Sequence, residues 1–168
     1  MSSFGLISLS MKIIGNRIVG RHAINELAPA VIIEEISSFY IREGEESSTN
    51  SPVSDLHNLI VGVIRFSTDA NISVLGNYIR SINESNFQES EIEGFKILCF
   101  DDLVALNPEL TLPCPTLFSD SIVLTCATEV WPDFNHPVMK RSISDLDYSN
   151  PNRQRPPFYI QGAEFLKF

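Results

Sequence analysis

The period of the apolar positions changes several times along this chain, and each change marks an element. "SFGLISLSM" near the start mixes apolar and small residues and predicts a first strand. From about Arg17 to Ala28, the residues Ile18, His22, Ile24, Leu27 and Ala28 fall roughly on one face, which predicts a helix closed by Pro29. "AVIIEEISSFYIRE" is dense in β-branched and aromatic residues and reads as one long second strand. "DLHNLIVGVIRFS" predicts a buried third strand. In "TDANISVLGNYIRSINES", Ile72, Leu75, Ile79 and Ile82 share a helical face, with Asp69 or Asn71 as N-cap. "FKILCF" is a fourth strand, and a last helix is predicted from about Ser119 to Glu129. The polar stretches 44–54 and 86–94 between these elements read as loops.

The order β-α-β-β-α-β with a further helix predicts an α+β domain of the ferredoxin-like split βαβ kind, an antiparallel sheet with helices on one face. Residues 1–146 are expected to form that single domain, and the proline-punctuated tail 147–168 to dock on it. Composition narrows the partners. The chain has 168 residues, 43% of them apolar and 20% charged, inside the globular range. Its formal net charge of -9 repels phosphate backbones and anionic lipid, so neither nucleic acid nor membrane is an expected partner. The opening "MSSFGLISLSMK" lacks the marks of a signal peptide, and no run approaches a membrane span. The three cysteines, Cys99, Cys114 and Cys126, form no CxxC pair and match no zinc spacing, so a reduced, cytoplasmic protein is expected.

Candidate chemistry enters with "PELTLPCPTLFSDSIVLTCATEVWPDFNHPV". This stretch resembles the C-terminal half of the hydroxymethyl-dihydropterin pyrophosphokinases (HPPK) of folate synthesis. "PELTLP", Leu117, Val123-Leu124, Glu129, Pro132-Asp133 and His136-Pro137-Val138 match that family's usual wording. "VIIEEISSFY" and "LHNLIV" are similar to its second and third strands, so the resemblance spans roughly residues 30–146. It implies an HPPK-like fold, and an activity in which a pyrophosphoryl group passes from ATP to a pterin hydroxymethyl group through positioning and charge neutralisation.

The positions that carry this chemistry in the family are altered here. The resemblance places the family's D-x-D magnesium pair on Gly94 and Lys96, its upstream arginine on Glu91, its histidine on Cys114 and a further arginine on Asp120. Hard carboxylate ligands and phosphate-binding cations are thus replaced by a residue without a side chain, a cation, a thiol and two carboxylates. The aromatic positions that sandwich the pterin read Leu56 and Ile122, while Asn58 matches the asparagine that reads the pterin edge.

Other candidates carry less. Glu91 and Glu93 have the i, i+2 spacing of a relocated metal pair, but their odd offset puts them on the opposite face of a continuous strand. Asp101-Asp102 reads as a turn, and His22, His57 and His136 as structural histidines. The expectation is therefore an HPPK-family protein that is catalytically degenerate. It would act by binding a pterin-like small molecule or a protein partner, and would need no cofactor. Two alternatives stand beside it. One is an active transferase using magnesium and ATP at Glu91 and Glu93, with cations from Lys12, Arg42 or Lys96. The other is a structural or assembly subunit pairing through its sheet edge or the apolar tail.

Overall fold

The computed structural model describes residues 1–43, 58–87, 93–153 and 155–167. Leu56, His57, Glu91 and the loop 44–54 lie outside the described residues. The chain runs through β1 (Ser3–Ile14), β2 (Arg17–Ile18), α1 (Ala23–Leu27), β3 (Ile32–Ile36), β4 (Phe39–Arg42), β5 (Leu59–Thr68), α2 (Ile72–Asn86), β6 (Gly94–Phe100), β7 (Ala105–Leu106), β8 (Thr111–Leu112), α3 (Thr116–Ser119), α4 (Ser121–Val130), α5 (Ile143–Tyr148), β9 (Phe158–Ile160) and α6 (Gly162–Phe165).

The long β1 lies between β5 and β6 and is antiparallel to both, with registers running from Ser3↔Thr68 to Lys12↔Leu59 and from Gly5↔Phe100 to Ser10↔Gly94. The far side of β5 pairs with β3 and β4, and β9 adds to β4. Strand alternation sends successive side chains to opposite faces. Ile7, Leu9 and Met11 of β1 join Ile60, Ile64 and Phe66 of β5 in one apolar layer, covered by α1 and α2. Leu6, Val61, Val63 and Leu98 point the other way, into a second layer under α3, α4 and α5. Helices therefore cover both faces of the sheet, which corrects the one-faced arrangement expected from sequence. The physical reason is that β5 is apolar on both sides, and Leu6, Leu98 and Cys99 extend its second apolar face onto β1 and β6, so each face needs a cover. Each large side chain buried in these layers contributes about 1.5–3 kcal/mol relative to exposure.

Two further elements differ from expectation. The helix expected from Arg17 is only Ala23–Leu27, because Arg17–Ile18 fold back on Ile13 and Ile14 as a hairpin. Gly20, at φ 80°, then takes a left-handed conformation that no right-handed helix contains. The long second strand is broken at Ser37 and Ser38. Ser37 Oγ accepts from Val63 N (2.9 Å) and donates to Ser38 O (2.7 Å), while Ser38 N turns to Glu129 Oε2 on α4 (2.7 Å). The helix over 72–86 starts at Asn71, whose side chain accepts from Val74 N at 3.0 Å, and buries Leu75, Ile79 and Ile82. Among the described residues no helix is long and apolar enough to cross a membrane.

Candidate functional site

Two adjoining cavities open where β1 and β6 run side by side beneath α2 and the α3–α4 junction. The smaller, about 240 Å³, is bordered by Ser8, Ser10, Arg42, Lys96, Thr116 and Asp120, with Glu93 and Gly94 also at its wall. The larger, about 640 Å³, lies between α2, β6 and the β7–β8 hairpin and includes Arg80, Lys96, Glu109, Thr111 and Cys114. Asn83 and Lys96 border both. The structure therefore brings together four positions named from sequence, Gly94, Lys96, Asp120 and Cys114, with Glu93 alongside. Asn58 stands apart from the cavity walls, exposed just before β5, where its carbonyl accepts from Ile13 N at 2.8 Å. It is still at the same end of the sheet, since the neighbouring Leu59 pairs with both Lys12 and Arg42. Ile122, half-buried in the first turn of α4, packs against the second apolar layer.

At Gly94 the chain has no room for a ligand-bearing side chain. Its φ is 109°, and a Cβ there would stand 2.6 Å from Asn83 Oδ1 and 3.2 Å from the Phe87 ring. Asn83 is fixed in that space. Its Nδ2 donates to Phe95 O and its Oδ1 accepts from Phe95 N, both at 2.8 Å, which fastens α2 to the first residues of β6. Nothing in the sequence singles out Asn83, because an amide on a helix face declares no long-range partner.

The charges around the smaller cavity are mostly matched. Asp120 ends α3 and caps α4, its Oδ1 accepting from Ile122 N (3.0 Å) and Val123 N (3.2 Å) while its Oδ2 pairs with Arg42. Lys12 Nζ lies 3.6 Å from Glu93 Oε1. Of the groups that the alternative active site would draw on, Glu93 and Lys12 are thus paired with each other, and Arg42 is taken up by Asp120. Among the described residues no group of three His, Cys, Asp or Glu side chains could hold a metal ion. Lys96 differs. It projects from β6 opposite Ser8, is exposed, and makes no ion pair or hydrogen bond through its side chain among the described residues. Ser10 Oγ nearby is shielded from solvent and has no hydrogen-bond partner among the described residues.

The residues that match the family wording act as braces. Glu129 accepts from Ser38 N and from the Tyr40 hydroxyl, tying α4 to the break between β3 and β4. Burial, reinforced by the bond to Glu129, pushes the Tyr40 phenol up to about 12. Cys114 N donates to Leu98 O at 2.7 Å, and its Sγ lies 3.4 Å from Thr116 Oγ1. The Cys99 and Cys126 thiols are pushed up to about 12 by burial and stay protonated at neutral pH. His136 Nδ1 accepts from Val138 N (3.3 Å) and Met139 N (3.1 Å), so this histidine shapes a turn.

No family model matches the chain, and no curated protein matches it. Solved structures do. The HPPK-DHPS of Plasmodium falciparum, as a triple mutant with SDX-DHP, superposes over 95% of this chain and 50% of that one, with a TM-score of 0.70 and 12% identity. The wild-type form covers the same shares at a TM-score of 0.62 and 12% identity. A double mutant with pterin and p-hydroxybenzoate covers 88% and 43%, with a TM-score of 0.63 and 14% identity. The fold is HPPK-like, and the chain spans about half the length of these proteins.

Proposed function

We propose that this chain is an HPPK-like module that does not transfer pyrophosphate and works by binding a pterin-like small molecule. The observation that carries the first half is Asn83: its amide fills the space that a ligand-bearing side chain at position 94 would need, and it is held there by two bonds to Phe95. Pyrophosphoryl transfer depends on metal ions and cations that neutralise the phosphates. The neighbouring Asp120 and Glu93 instead neutralise Arg42 and Lys12. For the second half, the support is Asn58, exposed one residue before the Leu59 that pairs with Lys12 and Arg42, together with the pterin named with one of the similar structures.

Calorimetric titration tests this. With an ATP analogue and magnesium no binding is expected, and with hydroxymethyl-dihydropterin a signal that weakens in Asn58→Ala is expected. Magnesium-dependent nucleotide binding near micromolar affinity would sink the first half. An absent pterin signal would sink the second and leave an interaction module on an HPPK-like scaffold.

A further inference from the structure

Lys96, which has no carboxylate partner among the described residues, sets the charge that the two cavities can accept. Around the smaller one, Arg42 faces Asp120, and Glu93 is matched by Lys12. Around the larger one, Arg80 faces Glu109 at 3.8 Å. Lys96 borders both cavities and has no such carboxylate among the described residues, although the chain carries 21 acidic residues against 12 Lys and Arg. Among the described residues one positive charge is therefore left over at the shared wall. Hydroxyls stand around it: Ser8 lies directly across the strand pair, Ser10 is two pairs along on the same face with a shielded Oγ that has no partner among the described residues, and Thr116 borders the smaller cavity.

We propose that Lys96 is the counter-ion for a small organic anion bound without metal, a ligand carrying a single carboxylate or phosphate monoester. A triphosphate would bring several negative charges to a wall whose other cations are already matched, so polyphosphates are excluded from the same place. The cation stands on β6 opposite Ser8, a fixed strand position, which favours a defined anion pose over diffuse attraction. The inference rests on the reading that the site carries no catalytic metal, and it is independent of whether the ligand has a pterin ring.

The test is titration of the full chain with inorganic phosphate, and separately with pterin-6-carboxylate and unsubstituted pterin, all in EDTA. The expected result is saturable phosphate binding that weakens about tenfold or more in Lys96→Met, the loss of one charge-assisted contact, and survives in Lys96→Arg. Pterin-6-carboxylate should bind more tightly than pterin, and that advantage should vanish in Lys96→Met. Lys96 is exposed, so both variants should fold, which circular dichroism checks. Phosphate binding that is absent, or equal in wild type and Lys96→Met, overturns the proposal. The unsubstituted pterin arm reads the pterin half of the proposed function alone, so the two can fail separately.

Discussion

At position 94 the missing side chain is a structural requirement as much as a chemical loss. A carboxylate placed there would adopt φ 109° and collide with an amide that is already bound at both ends. Gly94→Asp is therefore expected to cost about 2 kcal/mol or more of stability and to restore no magnesium affinity. Urea denaturation with and without magnesium checks it, and a stable variant that magnesium stabilises further would refute it. His136 supplies a second single-residue effect. It is 2% exposed, its Nδ1 accepts two backbone N–H bonds, and burial holds its pKa below the ordinary value. The unfolded chain then takes up the proton first as pH falls, so the contribution is complete above about pH 6.5 and is lost as pH drops through the folded value. The urea midpoint should fall between about pH 7.5 and pH 5.5, and by less in His136→Gln. Equal slopes for the two proteins would show that the imidazole is not responsible.

Asp120 joins two elements, and its two oxygens make separable contributions. Oδ1 caps α4, worth about 1 kcal/mol, and Oδ2 holds Arg42 in a half-buried pair worth no more than about that. Asp120→Ala should cost about 1–2 kcal/mol, while Asp120→Asn keeps the cap and should cost less. Chemical denaturation of both variants measures the difference, and equal losses would mean that the charge outweighs the cap. The same residue marks the limit of what the sequence made legible. The helix predicted over 119–129 lies where α4 does, and α2 was readable from Asn71 and its buried face at Leu75, Ile79 and Ile82. Those features are local, set by residues three or four apart. The kink at Asp120, the break at Ser37 and the helices on both sheet faces depend on partners distant in the chain. Arg42, Glu129 and Val63 leave no periodic trace. The site divides in the same way. The resemblance named Gly94, Lys96 and Asp120, which border one cavity, but the Asn83 amide that closes position 94 joins two elements through side-chain bonds that no spacing encodes.

For the molecule as a whole, the sheet edge beyond β4 is closed by the last described residues. β9 pairs with β4 at Phe39↔Ile160 and Tyr40↔Phe158, and the Phe165 ring stacks on Phe39 with centroids 4.4 Å apart. Arg21 lies over that ring, 4.7 Å from its centre, and donates to the Phe165 carbonyl. Phe165 thus joins α6, β4 and the turn before α1, and it is 1% exposed in the first apolar layer. Phe165→Ala should cost about 3–5 kcal/mol, a large share of the roughly 5–15 kcal/mol that holds a typical domain together. Phe165→Leu keeps most of the apolar volume and should cost about 1.5 kcal/mol or less. Urea unfolding followed by the signal of the single tryptophan, Trp131, reads both, because Trp131 sits on the opposite layer and reports the whole fold. A Phe165→Ala loss below about 1 kcal/mol would mean that the segment from β9 onward rests on the sheet without holding it. A full loss would make this edge part of the scaffold on which Lys96 and the two cavities are held in place.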